Sequence, residues 1–347
     1  MGRRRRLVVL SLLRAVGSCD RPSLGGGRLL VTSGFTDQVF VLDATSGAVL
    51  DSVSLDRRPG ERDEPHGVAV APDGQHWYAT LSHGEPTLWK YETRGHRLVG
   101  RLTLPLAGAS RVRLSPDGAL AAVPDYWRSG GGRHGRVAVI RTEDLTVVGA
   151  PEVCPAPHDA VFSPSGERIA VTCSQGSEVA ILDAASLEIT GRYSVADSTA
   201  PPPRPMNAAW SPDGERLWVS LMGRGTIVEL ELDPGHRSER PTGPAPAQLA
   251  LSPRGAWLAV ANRGGSSLSL LSMDADGASR IPVPGAHPHG VAFDPARPIV
   301  YVTWEGDVNT PGGVLAVDAS DGRILWHRSL GIYTLGIAFL PETEGNA

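Results

Sequence analysis

A four-residue turn motif returns at nearly regular intervals and constrains the fold of this chain more than any other feature. Five copies carry proline second and glycine fourth, and two degenerate copies follow: Ala71–Gly74, Ser115–Gly118, Ser163–Gly166, Ser211–Gly214, Ser252–Gly255, Asp294–Arg297 and Leu340–Thr343. Proline presets φ in such a turn, and glycine readily takes the left-handed conformation. Successive turn prolines lie 44, 48, 48, 41, 42 and 46 residues apart, the length of a four-stranded propeller blade rather than of a helical repeat. The sequence therefore predicts an all-β, seven-bladed β-propeller.

Short β-branched runs fill the intervals between these turns. In the fourth unit they predict four strands: His158–Ser163, Arg168–Cys173, Glu178–Asp183 and Glu188–Val195. The first such run in the chain, Arg28–Ser33, has the pattern of a second strand, and the last, Leu335–Leu340, has that of a first strand without its blade. We expect these two to pair and close the ring, which leaves no exposed sheet edge. In blade five, Asp233–Pro246 is rich in proline, glycine and charge, so we expect its outer strand to be short or missing.

The repeat also fixes the domain organisation. A length of 347 residues would by itself favour two domains, but the repeat runs from Leu29 to Pro341 and leaves no room for a second one. We assign 29–342 to the propeller, 20–28 to a short linker and 343–347 to a tail. The formal charge is −4, with both signs scattered along the chain. The sequence has no basic stripe, so we expect no nucleic-acid partner, and we expect a monomer.

Residues 1–19 differ in character from the rest of the chain. A basic run, Arg3–Arg6, precedes a short apolar run, Leu7–Leu13, and then Val16-Gly17-Ser18-Cys19. This order is typical of an export signal, and its end resembles a bacterial lipoprotein cleavage site with Cys19 as the lipidated residue. The apolar run is too short to span a bilayer. We therefore expect a periplasmic or extracellular protein that meets the membrane only through a lipid anchor. If the start codon is misassigned, the alternative is a cytosolic scaffold.

The two remaining cysteines, Cys154 and Cys173, fall at the same rim of the predicted ring. An oxidising compartment allows such a pair to form a disulfide, which we expect here. Two free thiols are the alternative if the chain stays in the cytosol. The sequence contains no Cys-x-x-Cys-His haem attachment motif.

Counting back six residues from each turn proline gives one equivalent position per blade, at the start of the innermost strand. The seven residues are His66, Ser110, His158, Met206, Ala247, His289 and Leu335. Imidazole is a good ligand for Zn, Cu, Ni and Fe. One hypothesis is that His66, His158 and His289 converge on the central channel and hold a divalent transition metal. The alternative is that each imidazole hydrogen-bonds to neighbouring backbone and only begins its strand.

The next position along each innermost strand is polar or glycine in every blade. Its polar members, Arg111, Asp159, Asn207 and Gln248, would form a partial ring that could orient a small ligand. The alternative is that Arg111 and Asp159 simply pair with each other. Trp127, Trp304 and Glu305 lie on insertions at the rim opposite the turns, where we expect them to contact a ligand or a partner protein.

The ends of several second strands carry a further motif. Val31-Thr32-Ser33-Gly34, Val171-Thr172-Cys173-Ser174 and Val260-Ala261-Asn262-Arg263 each precede a third strand such as Gln38–Asp43. Together they resemble the YVTN-type propeller repeat over nearly the whole chain after the signal. That resemblance implies seven blades and frequent export. Most such proteins have no assigned activity, and no catalytic residue of the related lactonase, amine-dehydrogenase, haem-d1 or copper propellers can be carried over.

These observations lead to two functional hypotheses. The first is an exported binding module that engages a partner protein or a small ligand at the rim opposite the turns. The second is a metal-dependent or lactonase-like enzyme that uses the histidines at the channel mouth.

Overall fold

A computed structural model describes residues 26–126, 135–196, 201–233, 235–274 and 277–342. They form seven antiparallel sheets arranged as a β-propeller, as the turn repeat predicts. Within these residues the helical structure is a single 3-10 turn, Arg94–His96. The predicted signal, Cys19, Trp127 and the tail at 343–347 lie outside the described residues.

Each blade runs from a first strand at the channel to a fourth strand at the outer surface. From blade one to blade seven, the first strands are Thr334–Leu340, Pro65–Val70, Arg113–Leu114, Pro157–Phe162, Pro205–Trp210, Pro246–Leu251 and Pro288–Phe293. The second strands are Arg28–Ser33, His76–Leu81, Leu120–Pro124, Arg168–Cys173, Arg216–Leu221, Trp257–Asn262 and Ile299–Trp304. The third strands are Gln38–Asp43, Thr87–Glu92, Gly135–Arg141, Glu178–Asp183, Thr226–Glu231, Ser267–Ser272 and Gly313–Asp318. The fourth strands are Val49–Ser54, Leu98–Thr103, Thr146–Gly149, Ile189–Ser194, Arg237–Pro241, Ala278–Pro282 and Ile324–Ser329.

Blades three and five depart from the common pattern. Blade three has a first strand of only two residues, and a further short strand, Glu152–Cys154, pairs with its third strand. Blade five keeps an outer strand of five residues, so the proline-rich segment shortens this strand without removing it.

The two ends of the chain close the ring in blade one. Thr334–Leu340 pairs antiparallel with Arg28–Ser33, with Leu29 opposite Phe339 and Leu30 opposite Ala338. Leu29 and Leu30 are fully buried. The predicted closure is therefore confirmed, and it removes the free sheet edge that either end would otherwise expose.

Burial along a blade explains why its strands differ in composition. The second strand Arg168–Cys173 is buried at five consecutive positions, because neighbouring blades cover both of its faces. The outer strand Ile189–Ser194 alternates between half-buried and exposed residues, because only one face meets another blade. Continuous apolar runs therefore mark the middle strands, and alternating runs mark the outer ones.

A buried hydroxyl joins each of several blades to the next at the start of the first strand. In blade four, Pro157 is paired with Cys173 and Ala160 with Val171, so the two residues between them leave the ladder in a bulge. The N–H of Asp159 donates to the Thr172 hydroxyl at 3.0 Å, and this hydroxyl donates to the Met206 carbonyl of blade five at 2.7 Å. One side chain thus satisfies two backbone groups that the bulge frees.

The same joint recurs around the ring. The hydroxyl-to-carbonyl bonds are Thr32 to His66 at 3.1 Å, Thr80 to Ser110 at 2.6 Å, Ser220 to Ala247 at 2.5 Å and Thr303 to Leu335 at 2.6 Å. In blade three, Pro124 occupies the hydroxyl position, and Ser110 bonds the His158 carbonyl instead, at 3.0 Å. In blade six the position holds Ala261, which has no hydroxyl.

A disulfide provides a covalent link between blades three and four. The sulfurs of Cys154 and Cys173 are bonded, with their Cα atoms 5.7 Å apart. Both cysteines are fully buried. The bond ties the extra strand of blade three to the second strand of blade four, next to Pro157 and His158. Closing a 19-residue separation stabilises the fold by about 3 kcal/mol in the chain-entropy model.

The hydroxyl joint generates a stability prediction. Replacing Thr80 by Val should lower the free energy of unfolding by about 1–3 kcal/mol, because the Gly67 N–H and the Ser110 carbonyl lose a buried partner. Replacing Thr80 by Ser keeps the hydroxyl and should cost less. Urea denaturation followed by tryptophan fluorescence measures both variants. Equal losses in the two would show that packing of the methyl group, and not the joint, stabilises this site.

Candidate functional site

The three histidines of the repeat meet at one cavity in the mouth of the channel. The rings of His66 and His289 lie edge to face with centroids 5.5 Å apart, and His158 faces the same space with the ring of Tyr126 4.5 Å away. The cavity has a volume of about 210 Å³. Its lining consists of His66, Tyr126, His158, Arg204, Met206, Met222, Ala247, Arg263, His289, Glu305 and Tyr333.

His66 and His289 come this close because blade one separates them only by a thin wall of backbone. A Cβ on Gly290 would lie 2.4 Å from the Leu335 carbonyl oxygen, and one on Gly336 would lie 2.4 Å from the His66 carbonyl oxygen. Only glycine fits such an approach. The glycines at this position therefore draw blades seven, one and two together at the mouth.

His158 presents a lone pair to the cavity. Its Nδ1 lies 2.8 Å from the Met206 carbonyl, and because a carbonyl only accepts, Nδ1 carries the proton. Nε2 is then the unprotonated nitrogen. Burial lowers the pKa of His158 to about 4, despite the opposing effect of Asp159. The imidazole is consequently neutral at neutral pH.

His289 has the opposite tautomer. Its Nδ1 accepts a hydrogen bond from the Gln248 amide at 3.1 Å, so its proton resides on Nε2. Burial lowers the pKa of His289 well below its usual range. Positive charge on the neighbouring His66 and Arg263 lowers this pKa further. The cavity thus contains one neutral imidazole with a free lone pair and another with a free N–H.

His66 has no hydrogen bond to either ring nitrogen among the residues that the structure describes. Its Nδ1 lies 3.9 Å from one carboxylate oxygen of Glu64, which is too far for a hydrogen bond, and that oxygen is also buried without a partner in the described residues. The other oxygen of Glu64 lies 2.8 Å from His83. His66 and Glu64 are both buried, so their unpaired atoms are costly unless something polar meets them.

An ion pair and two tyrosines complete the upper wall. Arg263 donates two hydrogen bonds to Glu305, at 2.7 and 2.8 Å. Burial raises the pKa of Tyr333, so its hydroxyl stays protonated as a donor. Glu305 thus lines the cavity, and its carboxylate is occupied by Arg263.

The residue two positions before the histidine position has left-handed backbone in six of the seven blades. The φ angles are 54° at Glu64, 49° at Ala156, 50° at Arg204, 49° at Ala245, 60° at His287 and 63° at Tyr333. Such angles are unfavourable for residues other than glycine, and they cluster at functional sites. This turn aims Arg204 and Tyr333 at the cavity. Sequence reasoning missed these residues, although the same count back from the turn proline identifies them.

The polar set of Arg111, Asp159, Asn207 and Gln248 lies one residue deeper than the histidines and does not line the cavity. The alternative in which Arg111 pairs with Asp159 is not what the structure shows, because Arg113 instead donates two hydrogen bonds to the Asp159 carboxylate, at 2.9 and 2.7 Å. Arg113 lies two residues further along the strand, so its side chain points to the same side. Burial opposes ionisation of Asp159, but the charge of Arg113 prevails and lowers the pKa of this carboxyl. Asn207 adds a hydrogen bond at 2.8 Å.

Trp304 packs between blades rather than at the cavity. It is 3 % exposed, and its ring N–H donates to the Pro311 carbonyl at 3.1 Å. Its apolar neighbours include Val302 and Leu315. The structure therefore places this ring in the core that joins blades six and seven.

Within the described ranges, no group of three or more His, Cys, Asp or Glu side chains is arranged to hold a metal ion. His66 and His289 are neighbours, but His158 lies across blade three, and two of the three imidazoles already use Nδ1 for hydrogen bonds within the protein.

Comparison with known proteins identifies the fold. No family model matches the chain, and no curated protein matches it in sequence, so the YVTN-type assignment stays a prediction. Among solved structures, the periplasmic gluconolactonase of Pseudomonas aeruginosa has a TM-score of 0.72 and 19 % identity, over 91 % of this chain and 99 % of its own. A proposed 6-phosphogluconolactonase of Bacteroides fragilis has a TM-score of 0.69 and 13 % identity, over 92 % of this chain and 99 % of its own. Hydrazine synthase of Kuenenia stuttgartiensis has a TM-score of 0.66 and 15 % identity, over 92 % of this chain and 100 % of its own.

At these identities the similarity shows the seven-bladed ring alone. A search of the described segments also finds no helix with the length and hydropathy needed to cross a bilayer.

The buried state of His158 predicts a pH dependence of stability. Its pKa is about 4 in the folded protein and 6.5 for the free side chain, so the unfolded chain binds the proton first as the pH falls. The free energy of unfolding should therefore decrease between pH 6.5 and 4, by about 3 kcal/mol in total from this group. His158→Asn, whose amide can replace the Nδ1 donor, should flatten that slope in urea melts. His327→Asn alters an exposed histidine and should keep it. Equal slopes in wild type and H158N would contradict the assignment.

Proposed function

We propose that this chain is an exported β-propeller that binds a small polar molecule in the cavity at the channel mouth. One observation carries the proposal: both ring nitrogens of His66 and one oxygen of Glu64 are buried beside that cavity, with no hydrogen-bond partner in the described residues. Buried polar atoms in folded proteins are nearly always paired. A ligand with hydroxyl or carbonyl groups would supply the missing partners.

The size and tautomers of the site indicate the kind of ligand. The cavity is smaller than the roughly 300–1,000 Å³ typical of sites for drug-sized molecules, so we expect a compact metabolite. His289 offers an N–H and His158 offers a lone pair, so a group that both accepts and donates fits between them. A small ligand is favoured over a partner protein because these unsatisfied atoms are buried rather than exposed on an outer surface.

Lactone hydrolysis is a second candidate, favoured by the same pair of tautomers. The Nε2 of His158 could accept a proton from water as the oxygen adds to the lactone carbonyl, while the Nε2–H of His289 stabilises the developing oxyanion. Collapse would break the ring C–O bond, and the leaving oxygen would take the proton back from His158. Two neighbours with this ring are described as lactonases, which supports testing the reaction.

Export is the setting in which we place this function. The pattern at residues 1–19 and the disulfide between Cys154 and Cys173 both suit an oxidising compartment. Expression of the full chain in a bacterial host should give cleavage before Cys19 and incorporation of labelled fatty acid. An unprocessed, unlabelled chain in the cytoplasmic fraction would contradict export.

One experiment distinguishes the binding module from the enzyme. Gluconate and δ-gluconolactone are titrated by calorimetry into the wild type, into His66→Ala and into His327→Ala, which changes an exposed histidine away from the cavity. We expect His66→Ala to weaken binding by about tenfold or more, since it removes buried hydrogen-bond partners, and His327→Ala to leave it unchanged.

Acid release from the lactone is followed in parallel against its spontaneous rate. Binding without acceleration supports a binding module, whereas acceleration that falls in His158→Asn supports the hydrolase. Binding that is identical in wild type and His66→Ala would contradict the proposed site.

A further inference from the structure

Beneath the histidines, two arginines of blade three lie near a single carboxylate, that of Asp159. Arg111 and Arg113 both come from the first-strand segment of blade three, and the charges that act on Arg111 are those of Arg113 and Asp159. Arg113 occupies both oxygens of the Asp159 carboxylate. One of the two guanidinium groups is therefore left without a counter-ion in the described residues.

Arg111 is that group. The residue is 9 % exposed, and its Nη1 is buried with no hydrogen-bond partner among the described residues. Burial and the charge of Arg113 lower its pKa to about 9, so it still carries its charge at neutral pH. A buried guanidinium without a partner is unfavourable, and it is well suited to bind a carboxylate or phosphate.

Its position relates it to the proposed ligand site. Arg111 follows Ser110, which holds the histidine position in blade three, and its charge acts on both His158 and His289. Arg111 therefore belongs to the level of the channel one residue below the imidazoles.

Two unpaired acceptors lie at the same level. The amide nitrogens of Asn207 and Gln248 are engaged with Asp159 and His289, and their amide oxygens are buried with no partner in the part of the chain described. Amide oxygens repel an acid group but accept from hydroxyls. One cationic donor and two acceptors together match a molecule that combines an acid group with hydroxyls.

Resting on the proposed function, we propose that the ligand is a small hydroxylated acid that extends from the cavity into the channel below it, where Arg111 binds its carboxylate or phosphate. Hydroxyl groups of the same molecule would donate to Asn207 and Gln248. A purely structural Arg111 would instead support the short first strand of blade three and would show no preference for charged ligands.

The test compares gluconate with gluconamide, which differs by the loss of the acid group, using calorimetric titration of the propeller. We expect wild type to bind gluconate about tenfold or more tightly than gluconamide. Arg111→Gln should abolish that preference while gluconamide binding stays the same. Arg254→Gln, which removes an exposed charge on a turn, should keep the preference. Arg111→Lys retains the charge and should keep part of it, which covers the case in which Arg111→Gln does not fold.

Inorganic phosphate identifies which acid group the site accepts. Competition of phosphate with gluconate in wild type, weaker competition in Arg111→Lys and none in Arg111→Gln would show that Arg111 takes either anion. Gluconate binding that phosphate does not affect would restrict the site to carboxylates.

Equal affinity for gluconate and gluconamide in wild type, or an unchanged preference in Arg111→Gln, would overturn the inference. The proposed function would survive that result, because its own test is the loss of binding in His66→Ala. Failure of gluconate, gluconamide and phosphate to bind at millimolar concentrations would overturn the acid-binding site itself.

Discussion

The hydrogen bond from a buried hydroxyl to the first-strand carbonyl of the next blade is the interaction on which the rest of this structure depends. It satisfies the backbone that a bulge frees at the mouth of the channel. Because of the bulge, the residue at the histidine position turns toward the mouth instead of packing between blades. The same bond that aligns neighbouring blades therefore also delivers His66 and His158 to one cavity, so stability and site geometry have a common origin.

The ring is symmetric in backbone but not in side chains, and this difference creates the site. Glycines in blades seven, one and two let backbones approach within contact distance, which brings His66 next to His289. Larger residues in blades three to five form a hydrogen-bonded chain from Arg113 through Asp159 to Asn207. Blades seven and two therefore supply the adjacent pair of imidazoles, and blades three to five supply the buried ion pair as well as the third imidazole, His158. Because burial keeps His158 and His289 neutral, both can serve as hydrogen-bond donors or acceptors at physiological pH.

The spacing of the turn prolines was sufficient to predict seven blades and the shared position of the three histidines, and the pattern of the two terminal runs predicted closure through Leu335–Leu340. Those features follow from spacing and pattern, which the sequence displays directly. The tautomers of His158 and His289 depend on which groups of neighbouring blades face them, and spacing does not reveal this. Spacing likewise does not reveal that Asp159 pairs with Arg113 and not with Arg111, because the two arginines are only two residues apart in the same segment. The left-handed residues at Arg204 and Tyr333 share a countable position, but no residue type marks it.

The joint also explains why the fold says little about function here. It uses backbone groups and a hydroxyl, so the side chains at the mouth can change without loosening the ring. This agrees with the finding that proteins only 13–19 % identical to this chain have the same fold. The contact between blades six and seven is different. Ala261 provides no hydroxyl there, and the Gln248 amide instead reaches His289. His289 therefore contributes both to the cavity and to the joint, whereas the His66 imidazole makes no hydrogen bond within the part of the chain that the structure describes. A change at His66 consequently reports on the ligand site with the least disturbance of the ring.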